Sequence, residues 1–142
     1  MGSEQTAMAR TKLSVPAKYL RDKGLIVGRA LDYGCGRGFD AKTLGIEGYD
    51  PYWNPIETPR GAYDTILCTY VLNVIESTTD RAACLLQIHS KLREGGIAYI
   101  TVRNDQKKLV GKTSKGWQGH ITLDLPVEYN CARHVIYRWG PK

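Results

Sequence analysis

Apolar residues along the chain occur in short runs separated by glycine, proline and charged positions. The runs 64–72 and 97–102 are almost continuously apolar, which is typical of strands buried on both faces of a parallel sheet. Shorter runs predict further strands at 29–33, 47–50, 121–125 and 134–139. Proline at positions 51, 55 and 59 predicts a loop after the second of these strands.

Apolar residues at helical spacing predict three helices. The first begins at the capping residue Ser14 and ends at Gly24, and the second runs from Phe39 to Leu44. The third begins after Ser77 and is expected to stop at Gly95-Gly96. Its expected buried face consists of Ala82, Leu85, Ile88 and Leu92.

This order of elements predicts an α/β fold: a Rossmann-like doubly wound sheet that ends in a C-terminal antiparallel hairpin. Residues 1–13 are polar and lack a period, so they are expected to form a flexible tail. Residues 14–142 are then expected to form a single domain.

Composition adds a few constraints. The chain has 142 residues, is 42% hydrophobic, and carries a formal charge of +6 from 20 Lys and Arg against 14 Asp and Glu. No apolar run reaches the roughly 18 residues of a membrane span, and we therefore expect a soluble, cytoplasmic domain. The cysteines contain no C-x-x-C pair, and the histidine spacing implies no metal site. The positive charge is compatible with a nucleic-acid partner and equally with solubility alone.

The predicted strand 29–33 runs directly into a glycine turn that precedes a helix, an arrangement that lets the backbone approach a ligand closely. Phe39 stands where a dinucleotide-binding fingerprint requires its third glycine, which disfavours NAD and FAD. The segment 111–113 matches the end of a P-loop, but Gln106 stands where the first glycine of that motif is required. The turn therefore predicts a ligand of another kind.

Two segments carry a resemblance to a known family. ALDYGCGRG at 30–38 resembles motif I of the class I S-adenosylmethionine-dependent methyltransferases, and GYDP at 48–51 resembles their motif II. The strand sequence DTILCTYVLNVI and the later LREGG are also similar to the family. With TKLSVPAKYL near the start, the set is similar to small bacterial methyltransferase-like proteins, including those associated with DNA phosphorothioation.

The resemblance implies S-adenosylmethionine as the cofactor. Asp32 would lie near its amino-acid end, and Asp50 would accept hydrogen bonds from both ribose hydroxyls. The loop beneath the cofactor would be shaped by Gly34, Gly36 and Gly38. Further cofactor contacts are expected from Tyr33, Cys35, Pro51, Tyr52, Cys68 and Tyr70.

The chain departs from the family between Asp50 and Asp64, where no room remains for the helix and strand that usually follow motif II. We therefore expect a sheet trimmed after its second strand. Tyr52 and Trp53 either stack on adenine in place of the missing segment or cap the thinned sheet.

The segment after the strand 97–102 supplies the candidate catalytic residues. Asp105 is a candidate base and Arg103 a candidate for orienting the methyl acceptor; the alternative is a charged loop that holds the strand end. The loop 103–119 places basic residues near Trp117, which suits either phosphate contact or a lid over the pocket. These basic residues are Lys107, Lys108, Lys112 and Lys115.

The expected function is in-line methyl transfer to an acceptor that the sequence does not identify. An anionic or polymeric acceptor such as DNA or RNA and a small molecule both remain open. Amino-methylating DNA enzymes carry an Asn/Asp-Pro-Pro motif where this chain has Cys68-Thr69-Tyr70, which disfavours that chemistry. The alternatives are a non-catalytic module that binds S-adenosylmethionine or S-adenosylhomocysteine, and a nucleic-acid-binding accessory protein.

Overall fold

The computed structural model describes residues 11–105, 111–113 and 116–140, and the side chains of 111–113 and 116 lie outside this description. None of the helices within these ranges is long and apolar enough to cross a membrane. The elements, in chain order, are α1 (Val15–Asp22), β1 (Ala30–Tyr33), α2 (Phe39–Leu44), β2 (Glu47–Tyr49), β3 (Tyr63–Thr69), a 3-10 turn (Leu72–Val74), α3 (Thr78–Lys91), β4 (Leu92–Arg103), β5 (Gly111–Thr113), β6 (Gly116–Gln118), β7 (Val127–Asn130) and β8 (His134–Trp139).

The main sheet has the strand order β2-β1-β3-β4-β8-β7. Its first four strands are parallel, and β8 and β7 complete it as an antiparallel hairpin beside β4. This confirms the Rossmann-like fold and the trimmed edge, because β2 is the outermost strand on its side. The Asn54 amide donates to the carbonyl of Gly48 at 2.6 Å and so covers part of that open edge.

The continuous apolar runs are explained by burial on both faces of the sheet. In β3, Ile66 and Cys68 belong to the cluster that packs against α3, whereas Leu67 belongs to the cluster that contains Ala17 and Leu20 of α1. All five residues are at most 1% exposed. Strand side chains alternate between faces, so a strand with a helix on each side requires apolar residues at successive positions.

Ser14 joins the start of α1 to α2. Its hydroxyl accepts from the N–H of Ala17 and donates to Asp40 Oδ2 at 2.6 Å, while its own N–H donates to Asp40 Oδ1 at 2.9 Å. Both residues are buried. The predicted cap is therefore confirmed, and it also fixes α1 against the helix that follows the glycine turn.

We expect Ser14→Ala to lower the free energy of unfolding by about 1–3 kcal/mol, because the variant loses the helix cap and leaves one oxygen of Asp40 without its donor. Urea denaturation measures the loss. Ser77→Ala is the matched control, since Ser77 accepts from the N–H of Asp80 at 3.2 Å and caps α3 without a carboxylate partner. It should lose about 0.5–1 kcal/mol. Equal losses in the two variants would contradict a stabilising role for the link to Asp40.

Two predicted boundaries are wrong. The third helix ends at Lys91, and Gly95-Gly96 lie inside β4, which begins at Leu92. The strand predicted at 64–72 ends at Thr69, because Tyr70 adopts a φ of 60° and turns the chain into the 3-10 turn. On α3, Ile88 is fully buried as expected, whereas Ala82 is exposed.

The segment 121–125 is not a strand. Both edges of β8 are occupied, by β4 and β7, so this segment cannot pair with β8. Its apolar side chains, those of Ile121, Leu123 and Leu125, pack directly against the core. The hairpin partner of β8 is β7 instead.

The segment 103–119, which the sequence predicts as a loop, contains the small hairpin β5–β6. The side chains of Lys107, Lys108, Lys112 and Lys115 lie outside the described residues, as do residues 1–10 of the predicted tail. Leu13, at the end of that predicted tail, packs beside the α1 cluster.

Candidate functional site

A cavity of about 860 Å³ opens at the carboxyl ends of the parallel strands. The carboxyl ends of all four parallel strands contribute to it: the glycine turn after β1, Asp50 and Pro51 after β2, the residues after β3, and Arg103 and Asp105 at and after the end of β4. In an open parallel sheet this edge is where ligands bind.

The glycine turn owes its shape to positive φ angles, which are 86° at Gly34, 55° at Gly36 and 86° at Gly38. The carbonyl of Tyr49 accepts from the N–H of Gly34 at 2.7 Å and from that of Cys35 at 2.8 Å, so the turn is attached to the end of β2. A Cβ on Gly34 would lie 2.5 Å from Cγ2 of Val71. Position 34 therefore requires glycine for both conformation and space.

Asp50 connects the glycine turn to the loop after β2. Its Oδ2 accepts from the N–H of Gly36 at 3.0 Å, and its Oδ1 accepts from the N–H groups of Tyr52 and Trp53 at 2.9 and 3.0 Å. The side chain is buried at 5% exposure. A carboxylate has about four lone-pair positions, so these bonds leave roughly one acceptor position on Oδ2.

The floor of the cavity is acidic. Asp32 and Asp50 both line it and are 4% and 5% exposed. Burial, followed by the negative charges of these two carboxylates, raises the pKa of the Cys35 thiol to about 12. Cys35 is therefore a neutral thiol, and the same field favours a ligand with positive charge.

Arg103 and Asp105 form a two-point ion pair, with Nε–Oδ1 and Nη2–Oδ2 distances of 3.0 and 2.7 Å. The hydrogen bonds from Arg103 lower the pKa of Asp105, which makes that carboxylate a weaker base. Between them, the Asn104 amide donates to the carbonyl of Cys131 at 2.9 Å and holds the strand end against the β7–β8 turn. This geometry suits the holding role better than the role of a base.

Two residues predicted to contact the cofactor do not line the cavity. Tyr52 is 53% exposed and packs edge-on against Trp53, whose ring also lies 4.4 Å from the Arg37 guanidinium. Cys68 is fully buried in the core between β3 and α3. The remaining predicted cofactor contacts line the cavity: Asp32, Tyr33, Gly34, Cys35, Gly36, Gly38, Asp50, Pro51 and Tyr70.

Sequence reasoning missed Asn73, which lies in the 3-10 turn after β3 and lines the cavity. It is 1% exposed, its amide donates to Gln118 Oε1 at 3.1 Å, and its backbone carbonyl accepts from Gly119. Its Oδ1 is buried and has no hydrogen-bond partner among the described residues. A polar residue inside an otherwise apolar run was the available signal, because burial without a role would cost free energy.

Sequence reasoning also missed His134, the first residue of β8, which lines the cavity at 1% exposure. Its Nδ1 lies 3.4 Å from the Tyr70 hydroxyl and 3.4 Å from Cys131 Sγ. Burial lowers the pKa of this imidazole, which favours the neutral ring. Only the sheet order reveals this position, since antiparallel β8 starts opposite Arg103 at the end of β4.

The parallel sheet with antiparallel β8 and β7, the glycine turn after β1 and the acidic residue after β2 together define the class I methyltransferase fold, which uses S-adenosylmethionine. The sequence model described as "Methyltransferase domain" matches residues 5–134. The chain therefore belongs to the methyltransferase-domain family. No curated protein sequence matches the chain.

Solved structures are similar to the chain in fold. The Burkholderia thailandensis 1,6-didemethyltoxoflavin-N1-methyltransferase, solved with S-adenosylhomocysteine, is 14% identical with a TM-score of 0.62; the match covers 87% of this chain and 76% of that one. A structure from echinomycin biosynthesis is 20% identical with a TM-score of 0.52, over 68% of this chain and 51% of its own. A methyltransferase from Thermotoga maritima is 17% identical with a TM-score of 0.50, over 66% and 53%. The chain thus spans about half the length of the latter two structures.

The described residues fit S-adenosylmethionine. The acidic floor suits a ligand that carries sulfonium and ammonium groups. Asn73 lines the cavity, and its buried Oδ1 is an acceptor with no donor among the described residues. The cavity volume of about 860 Å³ lies within the range of small-molecule sites, about 300–1,000 Å³.

Proposed function

We propose that the protein is a methyltransferase that acts on a small molecule bound in the same cavity as its cofactor. The observation that carries this proposal is the extent of the cavity, which reaches from the glycine turn to Arg103 and His134 on the antiparallel side of the sheet. Cofactor and acceptor then occupy adjacent parts of one cavity, which reduces the entropy cost of bringing them together.

S-adenosylmethionine, when bound, supplies a methyl group on a positively charged sulfur for in-line displacement. On this proposal Asp32 binds the ammonium end, and the backbone of the glycine turn supports the chain of the cofactor. The remaining acceptor position on Asp50 Oδ2 accepts a hydrogen bond from one ribose hydroxyl. Asp50 therefore binds one ribose hydroxyl on this proposal, and not both as the family resemblance implies. Tyr33, Cys35 and Pro51 contribute the walls around these groups, and Tyr70 lies between them and the acceptor end.

The far end of the cavity is assigned to the acceptor. Arg103 is fixed by Asp105, so its guanidinium offers an oriented surface to the acceptor, while Asp105 acts as the positioning residue. Arg133 also lines this end. At this end of the cavity the two positive charges of Arg103 and Arg133 exceed the single negative charge of Asp105, which favours an acceptor that carries a negative or strongly polar group.

Two measurements test the proposal. Isothermal titration calorimetry with S-adenosylhomocysteine is expected to show one site per chain, and absence of binding would overturn the cofactor assignment. Incubation with methyl-labelled S-adenosylmethionine and a bacterial extract, separated into nucleic acid, protein and small molecules, is expected to label the small molecules. Label in nucleic acid would favour a polymeric acceptor instead, and binding without label in any fraction would favour a non-catalytic module.

A further inference from the structure

Tyr70, Cys131 and His134 form a cluster of protic side chains at the end of the cavity assigned to the acceptor. The carboxyl end of β3 contributes Tyr70, and the β7–β8 turn and the first residue of β8 contribute the other two. All three line the cavity. The Tyr70 ring meets the His134 ring nearly edge-on, at an interplanar angle of 75°.

The backbone of Tyr70 indicates that its position is imposed by the fold. Its φ of 60° lies in the left-handed region, which a bulky residue seldom adopts without tertiary contacts to hold it there. Its N–H donates to the carbonyl of Thr101 at 2.9 Å, so the turn is fixed to β4. The strained residue thereby holds its hydroxyl at the cavity wall, within reach of His134.

We propose that Tyr70 and His134 together accept the proton of the methyl acceptor, and that the acceptor is a small aromatic molecule with an acidic O–H or ring N–H. The inference rests on the proposed function. In this step the acceptor O–H bond breaks and its proton passes to Tyr70 Oη, while the Tyr70 proton passes to His134 Nδ1. The electron pair stays on the acceptor oxygen, and the imidazole becomes an imidazolium.

The hydrogen-bond chemistry around His134 suits this role. The Tyr70 hydroxyl lies 3.4 Å from Nδ1, whereas Cys131 Sγ lies 3.4 Å from Nδ1 and 3.7 Å from Nε2. The tautomer that carries its hydrogen on Nε2 can accept at Nδ1 from the Tyr70 hydroxyl. Nδ1 is then an acceptor. The other groups around the ring are Tyr129, whose ring lies 5.9 Å away, Arg103, which pairs with His134 in the sheet, and the adjacent Arg133.

The same surroundings set the class of acceptor. His134 is 1% exposed, and this burial lowers its pKa, so the ring is a weak base. A weak base accepts a proton readily only from a donor of matched acidity. A phenol or a conjugated ring N–H meets this condition, whereas an aliphatic alcohol does not, and the resulting anion offsets the charge on the imidazolium.

The probe is 4-nitrophenol, because its phenolate absorbs visible light and its neutral form does not. With S-adenosylhomocysteine bound, so that no methyl group can transfer, the unmutated protein should bind 4-nitrophenol and raise its phenolate fraction severalfold above that of the free compound at the same pH. His134→Gln and Tyr70→Phe should each lose that gain. The methyl ether 4-nitroanisole, which has no proton to give, controls for absorbance changes caused by burial alone.

His89→Gln is the matched control, because His89 is exposed on α3, stacks on Trp139 at 5.3 Å and does not line the cavity. It should keep the full phenolate gain. Calorimetry with S-adenosylhomocysteine is done first on the unmutated protein and on every variant. Absence of binding to the unmutated protein would overturn the proposed function itself, and a variant that loses binding is set aside. Tyr70→Phe keeps the shape of the side chain and tests the pair even if His134→Gln unfolds.

The remaining outcomes count against the inference. A phenolate gain that persists in a folded His134→Gln or Tyr70→Phe protein would overturn the role of the pair. Binding of 4-nitrophenol without any gain in the unmutated protein would do the same. No binding of 4-nitrophenol to the cofactor-loaded protein would overturn the proposed class of acceptor.

Discussion

Asp50→Ala is expected to lower the free energy of unfolding by about 2–5 kcal/mol, because it removes the acceptor of one buried and two part-buried backbone N–H groups. A buried N–H group costs about 1–3 kcal/mol when unpaired, and a part-buried one costs less. The glycine turn and the loop after β2 would lose their shared anchor. Binding of S-adenosylhomocysteine should fall at least about tenfold, equivalent to about 1.4 kcal/mol. Urea denaturation and calorimetry measure the two effects on the same sample.

Asp50→Asn separates the anchor from the charge. The amide oxygen can keep the bonds from Tyr52 and Trp53, but its NH₂ group cannot accept from Gly36, so stability should fall by about 1–3 kcal/mol. Asp22→Asn is the surface control: Asp22 pairs with Lys18 in an exposed ion pair, and its loss should leave the stability essentially unchanged. An Asp50→Ala protein as stable as the unmutated chain would contradict the anchoring role.

The hydrogen bonds of Asp50 change the interpretation of the sequence motif in which it lies. A sequence motif gives the residue type at the end of β2, and a carboxylate there suits a vicinal diol. In the structure most acceptor positions of that carboxylate already accept hydrogen bonds from the backbone N–H groups of Gly36, Tyr52 and Trp53. The loop between Tyr49 and Tyr63 contains no helix, so a side chain supplies the hydrogen bonds that regular structure would otherwise supply.

The parts of the fold that depend on local chemistry were predictable from the sequence. The caps at Ser14 and Ser77 and the helix Phe39–Leu44 follow from short-range hydrogen bonding and spacing. The end of β3 was not predictable, because the left-handed turn at Tyr70 is held by a bond to Thr101 in the neighbouring strand. The conformation of 121–125 was not predictable either, because its apolar side chains pack against the core although the segment is not a strand.

For the candidate site, the sequence indicated the segments better than the side chains. Cys68 lies in the right strand but one residue before its end, where the side chain faces α3 and the core. His134 lies 31 positions beyond Arg103 in the chain and yet pairs with it in the sheet, because β8 runs antiparallel to β4. The sequence motifs of the parallel strands carry no information about His134, so its place in the site can be identified only once the strand order is known.

Gly34→Ala is expected to destabilise the protein by about 2–5 kcal/mol, which combines the strain of a positive φ, about 1–2 kcal/mol, with overpacking of about 1–3 kcal/mol. The new methyl group would lie 2.5 Å from Cγ2 of Val71, which itself lines the cavity. Relief of the contact would move either the glycine turn or the turn after β3. Cofactor affinity should therefore fall together with stability, as urea denaturation and calorimetry with S-adenosylhomocysteine would show.

Gly24 and Val71 allow the two contributions to Gly34→Ala to be separated. Gly24 has a φ of 70° and nothing within 4 Å of its would-be Cβ, so Gly24→Ala should show the strain alone, about 1–2 kcal/mol, with cofactor affinity unchanged. Adding Val71→Ala to Gly34→Ala removes the clashing methyl group and should recover part of the lost stability, which a double-mutant cycle reports as a favourable coupling. Equal losses of stability in Gly24→Ala and Gly34→Ala, with no coupling in the double-mutant cycle, would mean that backbone strain alone accounts for the requirement for glycine at position 34. Contact with Val71 would then have no part in shaping the cavity.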